Sequence, residues 1–223
     1  MIVLIIVLVA ADRIAVLVAE RQISDRVASA YSLPAKPGVS IKGFPFLTQV
    51  AAGKYQQVDI SVPHVAAGGV TVSNLDARFT EVDAPVSAVL GHGASSVTAK
   101  HASATATVAL AAVQARLPHG LALRRDGSSL AVSGTAHYAG LAIPVSATVT
   151  PRASSSGGIS LTPSHVSVGG GITVPASAIS GRLVIVLPVG PLPLHLKITS
   201  VRVGSAGLRI SAAGTNVHFA SVR

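Results

Sequence analysis

The chain has 223 residues, a formal net charge of +9 and a mean hydropathy of +0.61, and only 11% of its residues are charged. This length accommodates one sizeable domain, or a terminal anchor followed by one domain. Cysteine is absent, which excludes disulfides, thiolate metal sites and a cysteine nucleophile. The basic charge suits anionic lipid head groups better than nucleic acid, because aromatic residues are few and no basic cluster extends beyond Arg124-Arg125.

Residues 1–33 are predicted to form an export or anchor helix that continues into an amphipathic helix. Met1 to Ala11 is an unbroken apolar run, which is typical of a secretory signal and short for a membrane span of about 20 residues. Val9-Ala10-Ala11 is a candidate cleavage site, and the lack of a preceding basic segment leads us to expect a start upstream of Met1. A buried core helix is the alternative. The amphipathic part is predicted to present an apolar stripe of Ile14, Leu17, Val18, Val27, Ala30 and Tyr31.

The stretch from Val39 to Val62 is predicted to be a strand, a short helical corner and a second strand. Apolar and polar residues alternate on both sides of the corner, which is the period of a half-buried strand. Pro45 favours the first position of a helical turn, and Gly53 can close it. We expect Phe44 and Phe46 both to be largely buried, so that the corner plugs one end of a β core.

The rest of the chain is predicted to be mostly β, with short helices at Pro85 to Leu90, Leu110 to Leu117 and Pro175 to Val186. Asp126-Gly127 between two apolar segments is a strong hairpin signal. Shifts in the phase of alternation near Asn74 and Pro163 indicate bulges or bends. Repeated shifts of this kind in long strands suit a strongly curved sheet.

Two signatures bracket this β-rich region. The opening signature comprises Ile41, the run Gly43-Phe44-Pro45-Phe46-Leu47-Thr48-Gln49, Gly53, Tyr55 and Val58. The closing signature comprises Leu192-Pro193-Leu194, Leu196, the run Thr199-Ser200-Val201-Arg202-Val203, Gly207-Leu208, Ile210, Gly214 and Val217. Together they resemble the actinobacterial LmeA-like phospholipid-binding proteins. The chain departs from this resemblance at His218 and Phe219, where plain aliphatic residues are expected.

The resemblance implies a tubular lipid-binding fold and a role in the cell envelope. We therefore expect an α+β domain over residues 34–223, with a long, strongly curved antiparallel sheet wrapped around helix. The expected function is non-enzymatic phospholipid binding in the periplasmic space, at the outer face of the cytoplasmic membrane. The protein would carry lipid or regulate an envelope glycosyltransferase that assembles mannan-type glycolipids. The alternative is a membrane-anchored structural or glycan-binding β domain without a lipid cavity.

Catalytic and metal chemistry has little support in the sequence. The eight histidines include no pair at i, i+2 or i, i+4, and no acidic residue closely flanks any of them, so scattered strand or surface histidines explain them better than a metal site. The chain has no GxSxG elbow, and Glu81 and Asp83 are better explained as a solvated strand end than as a glycosidase pair. We therefore predict no cofactor and no metal, and retain an uncharacterised hydrolase only as a third possibility.

The predicted lipid site combines an apolar slot with a cationic mouth, because a phospholipid presents acyl tails beside an anionic phosphate. Strands whose second face carries Ser, Thr and Ala can line such a slot. The candidate slot residues are Phe44, Phe46, Leu47, Leu141, Ile143, Val145, Leu194, Leu196 and Ile198. The candidate head-group residues are Lys42, Lys54 and Arg202.

Overall fold

The structure is a computed structural model that describes residues 1–67, 70–85, 87, 97–115, 117, 120–138, 141–154, 158–169, 172–175, 185–187 and 192–219. In these residues the helices are α1 (Ile2–Ala30), α2 (Phe46–Ala52) and α3 (Leu110–Gln114), and Pro193–His195 form a 3-10 turn. The strands are β1 (Gly38–Lys42), β2 (Lys54–Ala67), β3 (Val70–Asp83), β4 (Thr98–Val108), β5 (Leu121–Asp126), β6 (Ser129–Tyr138), β7 (Leu141–Ala153), β8 (Ile159–Val168), β9 (Ile172–Pro175), β10 (Ile185–Leu187), β11 (Lys197–Val203) and β12 (Leu208–His218).

The described strands form two antiparallel sheets. The first sheet has the order β1-β2-β3-β4-β12-β11, and the second has the order β10-β8-β7-β6-β5 with β9 paired to β8. The predicted α+β class, the antiparallel pairing and the N-terminal apolar helix are therefore confirmed. The expectation of one long sheet is corrected, because the chain leaves the first sheet after β4 and returns to it only at β11. The tubular arrangement around a helix stays a prediction.

Each sheet contributes to a separate hydrophobic core. The first core lies between α1, α2 and the first sheet, and includes Phe46, Tyr55, Phe79 and Val82. The second core joins the two sheets where β11 lies against β7. Its buried side chains are Val113, Leu130, Val149, Ile159, Leu161, Val201 and Leu208. The β11–β12 hairpin therefore belongs to the first sheet by its hydrogen bonds, while Val201 and Leu208 near its turn pack against the second sheet.

Helix α1 packs against the first sheet through a face that the sequence prediction did not choose. Its buried residues are Asp12, Val16, Ala19 and Ser24. The expected stripe is wrong at Ile14, Leu17, Val18 and Tyr31, which are exposed, whereas its member Val27 is half-buried. The reason is that polar residues on the buried face of α1 form hydrogen bonds with backbone groups of the segment that contains β1 and the start of α2. Glu20 accepts the Ile41 N–H at 2.8 Å, the Ser24 hydroxyl donates to the Pro37 carbonyl at 2.6 Å, and Asp12 accepts the Leu47 N–H at 2.8 Å.

The hydrogen bond from the Leu47 N–H to Asp12 should therefore stabilise the packing of α1 against α2. We expect Asp12→Ala in the full-length chain to lower the melting temperature by several degrees, because the Leu47 N–H loses its acceptor at a site where the carboxyl side chain is almost wholly buried. The matched control is Asp25→Ala, since Asp25 pairs with Lys36 on the exposed side of the same helix. Equal melting temperatures for the two variants, measured by circular dichroism, would contradict this stabilising role.

The corner between β1 and β2 has one buried and one exposed phenylalanine. Phe46, the first residue of α2, is 3% exposed and its ring centroid lies 6.2 Å from that of Tyr55. The expectation for Phe44 is wrong, since this side chain is 58% exposed. The helix begins one residue after Pro45, so Phe44 precedes it and points away from the core. Gly53 ends the helix in the left-handed conformation, as its position predicted.

Several turn and bulge predictions are confirmed. A two-residue loop of Gly127 and Ser128 closes the β5–β6 hairpin, in which Asp126 pairs with Ser129. The register of β3 against β4 shifts between Ser73 and Asp76, and Asn74 has a φ of 50°. The register of β7 against β8 shifts opposite Pro163.

Two of the predicted helices lie mostly outside the described residues. For the helix predicted at Pro85 to Leu90 the residues outside are 86 and 88–90, and for the helix predicted at Pro175 to Val186 they are residues 176–184. The prediction for Pro175 to Val186 is wrong at its described ends, because Pro175 closes β9 and Val186 lies in β10. The helix predicted at Leu110 is confirmed as α3, which ends earlier than expected, at Gln114.

Candidate lipid-binding site

A row of cross-strand neighbours runs across the first sheet beneath α1. Ile41 pairs with Val58, Val58 with Phe79, and Phe79 with Ala102. The row ends at Gly214 on β12, where an added Cβ would lie 2.9 Å from Leu196 Cδ2. Large side chains therefore stand on β1 to β3, and small ones on β4 and β12. Ile41, Val58 and Phe79 border a space beneath α1 that the helix does not fill completely, whereas Ala102 and Gly214 line a different groove.

This space is an apolar pocket of about 220 Å³ between α1, α2 and the first sheet. The apolar character of its wall follows from the alternation of β2 and β3, whose inward residues are aliphatic or aromatic. Its described lining residues are Ile23, Arg26, Val27, Ile41, Phe46, Tyr55, Val58, Ile60, Phe79, Val82, Ala84, Val97 and Phe219. Phe79 and Phe219 meet edge to face there, with ring centroids 5.0 Å apart.

The pocket volume sets the size of ligand that it can hold. An engineered apolar cavity of about 150 Å³ takes up one benzene ring. A pocket of about 220 Å³ therefore accommodates a segment of one acyl chain and not a whole phospholipid. The rest of a bound lipid would extend outside the pocket.

Polar groups are few around this pocket. Arg26 lines it while remaining exposed on α1, which places its side chain at the rim. The Tyr55 hydroxyl and the Gln49 amide nitrogen are buried with no hydrogen-bond partner among the described residues. Burial accordingly raises the pKa of the Tyr55 phenol, so this group is neutral at physiological pH. In the part of the chain that the structure describes, no three His, Cys, Asp or Glu side chains come close enough together to hold a metal ion.

The structure distributes the predicted slot residues over three places. Phe46 lines the pocket, whereas Phe44 and Leu47 lie outside it on the exposed side of the corner. The first predicted row lies in β7 of the second sheet. Ile143 and Val145 are half-buried there, and the side chain of Leu141 is outside what the structure describes.

The second predicted row is divided between the two cores. Leu194 lies in the 3-10 turn and not in a strand, which corrects the expected hairpin. Leu194 and Leu196 pack against the first core, while Ile198 in β11 packs against the second. A single straight row of these three side chains is therefore not present.

The three predicted head-group residues are all exposed but lie at two ends of the first sheet. Lys42 ends β1 and Lys54 begins β2, so both flank the corner. Arg202 pairs with Arg209 near the opposite end, beside the β11–β12 turn. Lys42 and Lys54 therefore share one end of the sheet, and Arg202 lies at the other.

Sequence reasoning missed the contribution of α1 to the pocket. Ile23 and Val27 line it, but Ile23 was absent from the predicted stripe, and Val27, which belonged to it, was not connected to a pocket. Val58 and Ile60 alternate with polar residues in the second predicted strand, a pattern that indicates a buried face but not a cavity. The signal that could have found the helix face is the spacing of Val16, Ala19, Ile23 and Val27, which recurs every three or four residues.

A second, wider groove lies near the 3-10 turn. Its volume is about 850 Å³, and most of its lining side chains are polar. Arg78, His101, His195, Lys197 and Asn216 are among them. Arg78 also pairs with Asp59 at 3.0 Å, so part of the local positive charge is balanced.

Comparison with known proteins agrees with this arrangement. No curated protein and no solved structure matches the chain. The model of one protein family, described as LmeA-like phospholipid-binding, matches residues 10–213. This range includes α1 beyond its first turns, both sheets except the last five residues of β12, and every described lining residue of the pocket except Phe219. The match spans most of the chain, and the protein therefore belongs to the LmeA-like phospholipid-binding family.

Proposed function

We propose that the protein binds a phospholipid without catalysis, by taking a segment of one acyl chain into the pocket between α1 and the first sheet. The observation that carries this proposal is the pocket itself, which is apolar, preformed and lined by aromatic and aliphatic side chains. Burial of an acyl chain contributes about 0.8 kcal/mol per methylene, so a segment of several carbons is held without any reactive group.

The head group would lie near the rim of the pocket, where cationic side chains favour an anionic lipid. Arg26 lines the pocket, and Lys42 and Lys54 are exposed at the corner of the same sheet. Arginine and lysine both bind phosphate, and their attraction weakens as salt rises. Arg202, Leu141, Ile143, Val145 and Ile198 stay predicted lipid contacts that would need a second binding surface away from this pocket.

The proposed location is the outer face of the cytoplasmic membrane, in the periplasmic space of the cell envelope. Two features support it. The helix Ile2–Ala30 is long and apolar enough to cross a membrane, as a signal sequence or an anchor is, and the chain belongs to a phospholipid-binding family. In that setting the protein would deliver lipid, or regulate a glycosyltransferase, during assembly of mannan-type envelope glycolipids.

Native mass spectrometry of the purified full-length protein tests this function. We expect co-purified phospholipid in a one-to-one complex. Vesicle transfer assays should then favour phosphatidylinositol over phosphatidylcholine, and the preference should decrease with added salt because the exposed cations are screened. Equal transfer of the two lipids would remove the cationic rim from the proposal, and a folded protein that carries no lipid would overturn the function.

The wide groove near the 3-10 turn favours one second candidate, a membrane-anchored glycan-binding domain. Its histidine, lysine, asparagine and hydroxyl side chains offer the donors and acceptors that sugar hydroxyls require. Lipid-free mass spectra, together with oligosaccharide binding that is lost in Lys197→Ala, would support this candidate over the first.

A further inference from the structure

The exposed side of the corner carries apolar side chains that the pocket does not use. Phe44 is 58% exposed and Leu47 is 43% exposed, and neither belongs to the lining of the pocket. Single exposed apolar residues are ordinary, but large neighbouring ones are uncommon on a soluble surface. These two residues, together with Arg13, are called the corner patch below.

The corner patch is continuous with the apolar start of α1. Asp12 accepts the Leu47 N–H at 2.8 Å, and the guanidinium carbon of Arg13 lies 5.1 Å from the centroid of the Phe44 ring. Both contacts are made by the residues that directly follow the exposed apolar run Ile2 to Ala11. Phe44 and Leu47 therefore stand beside the helix at the level where its uninterrupted apolar surface ends.

The exposed apolar run is long enough to enter the hydrocarbon core of a bilayer. Ten helical residues rise about 15 Å, which is half of a hydrocarbon core about 30 Å thick. Ile14, Leu17 and Val18 continue the exposed apolar surface beyond Arg13. Burial of the run Ile2 to Ala11 in lipid would bring the corner patch to the boundary between head groups and acyl chains.

The charges around the patch suit that boundary. Arg13, Lys42 and Lys54 are exposed close to the corner, whereas Asp12 is buried and already bonded to Leu47 and Arg13. Two acids also lie in this region: Asp83 is the register partner of Lys54, and Glu20 accepts the Ile41 N–H beside Lys42. The exposed cations are the groups available to anionic head groups. An arginine stacked on an aromatic ring can also place its charge at the phosphates while the ring stays among the acyl chains.

We propose that the corner patch is a membrane-docking surface, with Phe44 and Leu47 inserted at the head-group boundary of a lipid bilayer and Arg13 at its phosphates. The first sheet is then attached to the membrane at two places, α1 and the corner patch. Two attachments fix its distance from the membrane more closely than the helix alone would. It goes beyond the proposed function, because it does not require lipid in the pocket.

The chain contains no tryptophan, so a single substitution gives a site-specific probe. The experiment places full-length Phe44→Trp in vesicles of phosphatidylcholine and phosphatidylglycerol, with and without phosphatidylcholine brominated on the upper part of its acyl chains. We expect the emission maximum to move to shorter wavelength and most of the intensity to be quenched by the bromine atoms. The matched control is Tyr31→Trp, an exposed aromatic position just after the other end of α1, about 27 Å from Arg13 along the helix. Its emission should remain unquenched.

Three outcomes would overturn the docking surface. Equal quenching of the two variants would mean that the whole helix lies along the membrane, and no quenching of Phe44→Trp would mean that the corner is in water. A blue shift that grows with protein concentration without vesicles would instead assign the patch to a second copy of the chain. The pocket-filling variant Val58→Phe, combined with Phe44→Trp, should keep the quenching. Failure of docking and failure of pocket binding are therefore measured separately.

Discussion

We expect Phe46→Ala to lower the free energy of unfolding by about 3–5 kcal/mol, the usual loss when a buried phenylalanine is truncated in a core. Phe46 is 3% exposed, packs against Tyr55 and lies in the first core between α1 and the sheet. Its removal would leave a cavity that merges with the existing pocket. For a chain of this size the melting temperature should fall by roughly 6–20 °C, which thermal denaturation followed by circular dichroism measures.

The matched control is Phe44→Ala, two residues away in the same corner. Because the Phe44 ring is mostly in solvent, its truncation should change the free energy of unfolding by no more than about 0.5 kcal/mol. The pair separates burial from the general effect of an alanine in this loop. A similar loss of stability in both variants would mean that the corner as a whole, and not the buried ring, stabilises the first core.

Local sequence patterns predicted the parts of the fold that depend on neighbouring residues. Gly53 ends α2 and Gly127 lies in the hairpin loop because both positions have positive φ, which glycine adopts at low cost. Asn74 marks a real bulge for the same kind of reason, since asparagine tolerates the left-handed region. Each of these features is decided within a few residues, so the sequence alone can reveal it.

The division into two sheets depends on contacts that are distant in the sequence. β4 and β12 pair along most of their length, although about 100 residues separate them. Alternation in β12 indicates a strand but does not identify its partner. The two predicted rows have the same alternation, and nothing in their periodicity shows that Leu194 and Leu196 pack against the first core while Ile143 and Val145 lie in the second sheet. Alternation identifies a strand face but not which faces lie together, so it could not show whether the two rows form one slot.

The face of α1 was chosen wrongly because polar residues occupy its buried side. Asp12, Glu20 and Ser24 would normally mark a solvent face, yet each satisfies a backbone group of the adjacent β1 and α2 region. The exposed Ile14 and Leu17, by contrast, look like core residues in a soluble protein. In a helix that begins in a membrane, apolar residues can face lipid, so hydrophobicity alone does not identify the packed side. This ambiguity also hid Ile23, and with it the wall that α1 contributes to the pocket.

The second large effect is expected for Val58→Phe, which should weaken phospholipid binding by about two orders of magnitude. Val58 is half-buried on β2, between Ile41 and Phe79, and lines the pocket. Phenylalanine adds four carbon atoms, which would occupy space otherwise available to about four methylenes of an acyl chain. At about 0.8 kcal/mol per methylene the loss is about 3 kcal/mol, or a factor above 100 in Kd. Vesicle transfer of phosphatidylinositol and native mass spectrometry both measure it.

The stability of the same variant distinguishes a filled pocket from a damaged fold. A ring that enters existing space fills a cavity, so the melting temperature should stay the same or rise while lipid binding is lost. Val65→Phe is the matched control, because Val65 is another half-buried valine of β2 that is not among the described lining residues of the pocket. Ile143→Asp tests the predicted row in β7 in parallel. If Val58→Phe binds lipid normally and Ile143→Asp does not, the acyl chain lies on the second sheet and the pocket beneath α1 is only a packing defect.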